Sequence, residues 1–209
     1  MEVNNRRAAL TALMAIPAGL VAASASARPA QPVSGDLATR VDVLESRQRI
    51  SDNLFAYARA TDRLDEALLR SLFWPEATHR HGRFDGKSHD FIGFSTKIVG
   101  GLKYACHHVS NVSVEVKGDR AFSECYYFAQ HRRAATETAG EQDIFFQGRY
   151  LDFHERRGGE WKIIRRRGLS DYTSPLVPAP TPFADWAAGH SERFPDDEYY
   201  RMQAEFRAR

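Results

Sequence analysis

An α+β domain, helices first and an antiparallel sheet second, is what the sequence predicts. Up to about residue 100 the apolar residues recur three and four apart, as on a helix face, whereas beyond it they fall into β-branched and aromatic runs divided by glycine turns. The third observation is size. With 209 residues, 43% hydrophobic and 11% aromatic, the chain has material for one domain with a real core. Its 29 Lys and Arg against 27 Asp and Glu give a net charge of +2 with no basic block, so nothing calls for nucleic acid. Two cysteines are too few for a disulfide scaffold or a four-thiolate zinc site.

Arg6 and Arg7 precede the uncharged stretch Ala8 to Ala23 and then Ala25-Ser26-Ala27, a small-x-small cleavage pattern. Residues 1–27 read as an export signal of twin-arginine type, with general secretion as the alternative, and the expected location is the bacterial periplasm. Pro17, Gly19 and the alanine-rich composition argue against a membrane anchor. A Pro-rich linker follows at residues 28–35. From Asp36 the residues Leu37, Val41, Leu44, Ile50, Leu54, Phe55 and Tyr57 predict an amphipathic helix to about Ala60, with Ser34 or Asp36 as its N-cap. Asp65 caps a shorter helix carrying Leu68, Leu69, Leu72 and Phe73, stopped by Pro75. A third helix runs from Ser88 to about Val99 and ends at Gly100-Gly101.

Four strands come next: Val109 to Val116, Ala121 to His131, Ile144 to Glu155 and Trp161 to Leu169, with turns at Gly118-Asp119 and Gly158-Gly159. If Gly118-Asp119 is a two-residue loop and pairing runs straight on, Cys125 opposes Val112 and His107 opposes Gln130. Cys106 is then roughly 20 Å along the strand from Cys125's partner, at ~3.3 Å per residue, so the cysteines are free thiols. The same pairing puts His107, Val109, Asn111, Tyr126, Phe128 and Gln130 on one face, although Val112, Val114 and Val116 ask for the opposite one. The last strand has a similar conflict, since Trp161 and Ile163 alternate into phase with Arg165 and Arg167, not with Arg166. Residues 173–209 carry Pro175, Pro178, Pro180 and Pro182 and then Trp186, Phe194, Tyr199 and Tyr200. That many aromatics predict an arm laid across the domain or onto a neighbouring subunit.

Six segments in order carry a resemblance: Tyr57 to Arg63 (Tyr-Ala-Arg-Ala-Thr-Asp-Arg), Leu72-Phe73-Trp74-Pro75-Glu76-Ala77, His107 to Val112 (His-His-Val-Ser-Asn-Val), Gly118-Asp119-Arg120-Ala121, Gly148-Arg149-Tyr150 and Trp161-Lys162-Ile163. Together they resemble the SnoaL-like branch of the nuclear transport factor 2-like superfamily, over about residues 36–172. The resemblance implies a cone-shaped α+β barrel, its N-terminal helices packed into a curved antiparallel sheet around one pocket. It implies a homo-oligomer too, a trimer in the first instance and a dimer otherwise. It also implies a lyase without metal or organic cofactor, in which a histidine takes a proton from carbon while an aspartate holds its ring.

The positions that match are His107 and Asp62. Imidazole titrates near neutrality, and a carboxylate on its second nitrogen fixes the tautomer and stabilises the imidazolium. Tyr57, five residues before Asp62, matches a substrate-contacting tyrosine. Trp161 to Leu176 matches the family's dehydrochlorinase pattern through Tyr172, Pro175 and Leu176, and this points to Arg166 as the leaving-group donor, with Arg167 in reserve. Gln130, Phe128, Asn111 and Arg149 complete a substrate-binding set. Each residue also has a plainer reading: Asp62 as a helix-end residue, His107 as a satisfied core histidine, Tyr57 as core, Arg149 as an ion-pair partner. His79-x-His81 puts two imidazoles on one strand face, but no carboxylate or cysteine completes a metal set. The expected function is a lyase on a small, largely apolar, ring-containing molecule, losing water, halide or a carbon fragment such as formaldehyde from an aromatic diol. A non-catalytic binding or assembly module of the same fold is the alternative, as is an isomerase or hydrolase with a carboxylate base.

Overall fold

The computed structural model of the chain describes residues 35–186 and 189–209. The expected export signal and nearly all of the linker lie outside the described residues. Helix α1 (Leu37–Arg63) starts at Asp36, whose carboxylate accepts the Thr39 N–H at 2.8 Å, and stops at Leu64 in the left-handed region (φ 58°). Leu37, Val41 and Leu44 remain exposed, as does Phe55 further along, and burial starts at Ser46 and Ile50, continuing through Leu54, Tyr57, Ala58 and Thr61. Thus only the second half of the expected apolar face meets the core.

Asp65 caps α2 (Glu66–Ser71), accepting the Leu68 N–H at 3.0 Å. Leu72 and Phe73, expected in this helix, leave it: Phe73 opens strand β1 (Phe73–His81), which turns into β2 (Phe84–Lys87) before α3 (Ser88–Gly100). Pro75 therefore sits in a strand. It is tolerated because the β1–β6 pairing is interrupted between Phe73 and Thr78, so no ladder donor is missed there.

The sheet continues with β3 (Tyr104–Lys117), β4 (Arg120–Arg133), β5 (Gln142–Arg157) and β6 (Glu160–Thr173), joined by turns at Gly118 (φ 59°) and Gly158-Gly159 (φ 58° and 86°). Positive φ at these positions suits the tight hairpin turns expected there. The strand order is β2-β1-β6-β5-β4-β3, with short β7 (Val177–Pro178) added to β5. The α+β class is as predicted. The sheet is curved and unclosed, its ends being β2 and β3, and the helices pack against one face, leaving the other outward.

Two bulges resolve the conflicts of alternation. Between the pairs Ser110–Tyr126 and Ser113–Glu124, β3 carries two residues where β4 has only Cys125, and Asn111 takes φ 50°. Both Ala105-His107-Val109 and Val112-Val114-Val116 then face the helices. A second bulge at Ile164, between the pairs His154–Ile163 and Phe153–Arg165, brings Arg166 into phase with Trp161 and Ile163. A third falls at Asp171, beside Gly148.

The arm crosses the domain. Thr181 accepts from buried Arg132 at 2.8 Å, Trp186 lies 5.2 Å from the same guanidinium, and the Phe194 N–H donates to the Arg63 carbonyl at 2.7 Å. It ends in α4 (Glu198–Ala208), none of whose residues is buried. Among the described residues no helix is long and apolar enough to cross a membrane.

Candidate active site

Asp62 is the penultimate residue of α1, one turn beyond Tyr57, and faces the sheet with only 5% of its surface exposed. Its Oδ1 lies 2.6 Å from His107 Nδ1, and its Oδ2 accepts the His107 backbone N–H at 2.8 Å. Since an ionised carboxylate only accepts, Nδ1 carries the proton, and Nε2 is left as the free lone pair. One carboxylate thus grips both the ring and the backbone of the residue it orients. Among the described residues, no hydrogen bond engages Nε2.

The neighbours of this pair come from four strands. The His131 ring stands edge-on to His107 with centroids 5.2 Å apart, and Phe146 lies 5.0 Å beyond it. Tyr127 lies on the same face, two residues along β4 from Ala129, the partner of His107. It stacks on Tyr150 at 4.6 Å, and His81 stands 6.1 Å from Tyr127 and 6.0 Å from Tyr150. Gly168 makes room for His81: a Cβ there would lie 2.6 Å from the imidazole.

Arg166 is 1% exposed, with its guanidinium 4.1 Å from the Tyr57 ring and 4.4 Å from that of Tyr150. It makes a two-pronged pair with Asp152, Nε to Oδ1 at 2.8 Å and Nη2 to Oδ2 at 2.6 Å. Burial opposes its charge, and Asp152 outweighs burial, so its pKa ends above the ordinary arginine value. Nη1 is buried without a partner. Tyr57 serves here as the shelf under this guanidinium, and burial raises its phenol pKa.

The histidines around the dyad are neutral. Burial, then Arg166 and His81, pulls His79 down to about 2. Burial, then Arg166 and His107, pulls His81 to about 4, and burial followed by His107 does the same to His131. The Cys125 thiol is pushed up to about 12 by burial, so it is no nucleophile at neutral pH. Ser123 Oγ meets His154 Nε2 at 2.8 Å, but both residues are sealed in the core and His154 Nδ1 has no partner, so no Ser-His-carboxylate relay exists there.

Four expected substrate contacts lie elsewhere. The β3 bulge shifts the register by one, so His107 pairs with Ala129 and Gln130 with Cys106. Gln130 and Phe128 therefore point to the outer face, where Phe128 is 38% exposed and Gln130 borders a cleft beneath the arm. Asn111 is the exposed bulge residue itself. Arg149 is also on the outer face, paired with Glu124 at 3.0 Å and Asp171 at 3.4 Å. The residues that sequence reading missed are His81, His131, Tyr127, Tyr150 and Asp152. His131 was one position from discovery, because it flanks Gln130 and only the unseen bulge chose between them.

The model of the SnoaL-like domain matches residues 42–167, well over half of the chain. The chain belongs to the SnoaL-like family. Gamma-hexachlorocyclohexane dehydrochlorinase of Sphingobium indicum is 25% identical over 142 residues, spanning 66% of this chain and 88% of the relative. A type 2 hexachlorocyclohexane dehydrochlorinase structure superposes with a TM-score of 0.60 at 22% identity, covering 72% of this chain and 99% of that one. A nuclear transport factor 2-like superfamily protein of Salmonella enterica gives 0.54 at 20% identity, over 69% and 99%. These two structures establish the fold. The sequence relatives add that lyases occur among this SnoaL-like chain's homologues, in a family that also holds non-enzymes.

Proposed function

We propose that this SnoaL-like protein is a cofactor-independent lyase acting on a small, largely apolar, ring-containing molecule, with His107 as general base and Asp62 as its orienting partner. The observation that supports this is the double grip of Asp62, 2.6 Å to Nδ1 and 2.8 Å to the backbone N–H of the same histidine. A histidine kept only for packing needs neither a fixed tautomer nor a free second nitrogen. In the elimination, Nε2 takes a proton from carbon, the C–H electron pair becomes the new double bond, and the adjacent bond to chloride or hydroxyl breaks with its electrons leaving on that group. Asp62 stabilises the imidazolium that forms. The surrounding neutral imidazoles, the phenol of Tyr150 and Arg166 Nη1 supply donors for the departing group, whereas the Tyr127 hydroxyl already donates to the Leu169 carbonyl at 3.3 Å, so its ring joins Phe146 and Val109 as wall.

The protein's dehydrochlorinase relatives make chlorinated cyclohexanes the first compounds to try, followed by aryl β-hydroxy ketones for water loss and aryl diols for formaldehyde loss. Chloride release and product mass spectrometry are read with native protein, His107→Ala and Asp62→Asn. A compound consumed by native protein and spared by both variants supports the reading. A folded His107→Ala variant that works at the native rate overturns it.

We place this lyase in the periplasm of a bacterium, as a homo-oligomer with the trimer favoured. A signal-bearing N-terminus on cytosolic protein, or a monomer by light scattering at micromolar concentration, would count against those two proposals.

A further inference from the structure

The segment Glu192 to Tyr200 falls outside the matched family region, residues 42–167, yet it packs directly behind the dyad. Arg193 Nη1 donates to the backbone carbonyl of Asp62 itself, and Nη2 donates to the carbonyls of Val99 and Leu102 at 3.3 Å each. Asp62 is a last-turn residue of α1, whose final carbonyls have no intrahelical partner, and Val99 is its counterpart in α3, where the carbonyl also accepts the Leu102 N–H at 3.1 Å. The planar fork of a guanidinium reaches several such oxygens from one side chain. On the adjoining residue the bonds run both ways: the Phe194 N–H donates to the Arg63 carbonyl at 2.7 Å, and Arg63 Nη1 donates to the Glu192 carbonyl at 3.2 Å. Arg63 also pairs with Asp197 at 3.6 Å, the Tyr200 hydroxyl donates to Asp65 Oδ2 at 3.3 Å, and Arg59 lies 4.1 Å over the Tyr199 ring. The turn that presents Asp62 is thus held from behind over residues 59 to 65.

Such a hold answers a need. Asp62 sits one residue from a helix end, where helices fray, and just before the left-handed Leu64. Yet its two oxygens must meet two donors of His107 at once, and a site of this kind tolerates displacements of only about 0.5 Å. We propose that Arg193 is a positioning residue for the Asp62–His107 pair, and that the C-terminal arm is a clamp that sets the geometry of the site. The inference rests on the dyad reading above. It adds that this chain's base is tuned by a segment that the family's domain does not include.

The test is proton NMR of the full chain, following the downfield resonance of the His107 Nδ1 proton shared with a carboxylate, alongside thermal melting. Asp62→Asn identifies the resonance by removing it. Arg193→Met is expected to lose at least half of its height while the melt stays cooperative. Arg193→Lys, which keeps the charge but cannot reach all three carbonyls, is expected to fall between, and it decides the matter if Arg193→Met does not fold. Met202→Ser, on the exposed face of α4, should change nothing. Native resonance height in folded Arg193→Met or Arg193→Lys overturns the clamp alone. A resonance that survives Asp62→Asn counts against the dyad reading instead.

Discussion

At the scale of single residues, two carboxylates between the helices and the sheet hold two different bases, and the difference assigns their work. Asp62 holds an imidazole whose far nitrogen is free, whereas Asp152 takes up two prongs of Arg166 in full burial. Asp62→Asn should keep the size of the side chain while removing both the charge that stabilises imidazolium and one of the two acceptors that meet His107. Turnover is expected to fall by about 10²- to 10⁴-fold with little change in KM, measured on whichever panel compound native protein consumes. Arg166→Met should behave differently, since it leaves Asp152 buried without a counter-charge and costs about 3–5 kcal/mol of stability. Urea denaturation will show this as a lower midpoint, and the double variant Arg166→Met/Asp152→Leu should regain much of it, because an apolar pair of similar volume needs no compensation. A full-sized loss that the double variant does not relieve would mean that Arg166 matters for its rings, Tyr57 and Tyr150, more than for its charge.

At the scale of elements, the site depends on one extra residue in a strand. Asn111 takes φ 50°, which asparagine and glycine adopt with little strain and β-branched residues do not. Asn111→Gly should stay within ~1 kcal/mol of native, and Asn111→Val should lose about 1–3 kcal/mol by chemical denaturation. Deleting Asn111 is the sharper experiment: strict alternation cannot then hold His107 and the 112-114-116 valines on one face, so the Asp62–His107 resonance should vanish even if the chain folds. This also marks how far the sequence was readable. The cap at Asp65, the choice of Ser34 or Asp36 as the first cap and both hairpin turns were legible, because they depend on residues adjacent in the chain. The joins between strand segments were not, because a bulge is a property of two strands together; the conflicts of His107 with the valines and of Arg166 with Trp161 and Ile163 were its only traces. Arg166 was reached by resemblance against the parity of its strand, and the bulge at Ile164 is the reason the parity was misleading. Gln130 failed for the same cause in reverse, as a correct turn was extended through a bulge. Gly168, whose missing side chain admits the His81 ring, left no signal in a single sequence.

At the scale of the molecule, the histidines that frame the dyad make the whole fold sensitive to acid. His81, His131 and His154 are each pulled from the ordinary value to about 4, first by burial, and His79 to about 2. Above pH ~6.5 these rings are neutral whether the chain is folded or not, and they give stability no pH dependence. Between ~6.5 and about 4 the unfolded chain binds protons that the folded chain refuses, so stability falls as pH falls, and below about 4 the contribution of the three levels off. A single such ring removes on the order of 3 kcal/mol by pH 4, against the 5–15 kcal/mol of a typical domain, so several acting together suffice to unfold it. The expected result is a melting temperature nearly flat from pH 8 to 7 and falling steeply between pH 6 and 4.5. Surface carboxylates such as Asp42, lowered by its Arg156 partner, and Glu76, lowered by its own backbone N–H and then by Arg157, lose their pairing only at lower pH and cannot produce a drop that begins near 6. The discriminating variant is His131→Gln, which removes one titrating ring without adding charge. Its melting curve against pH should be visibly shallower than that of native protein in the 6 to 4.5 interval, and an unchanged slope there would show that the buried imidazoles are not what unfolds the chain in acid.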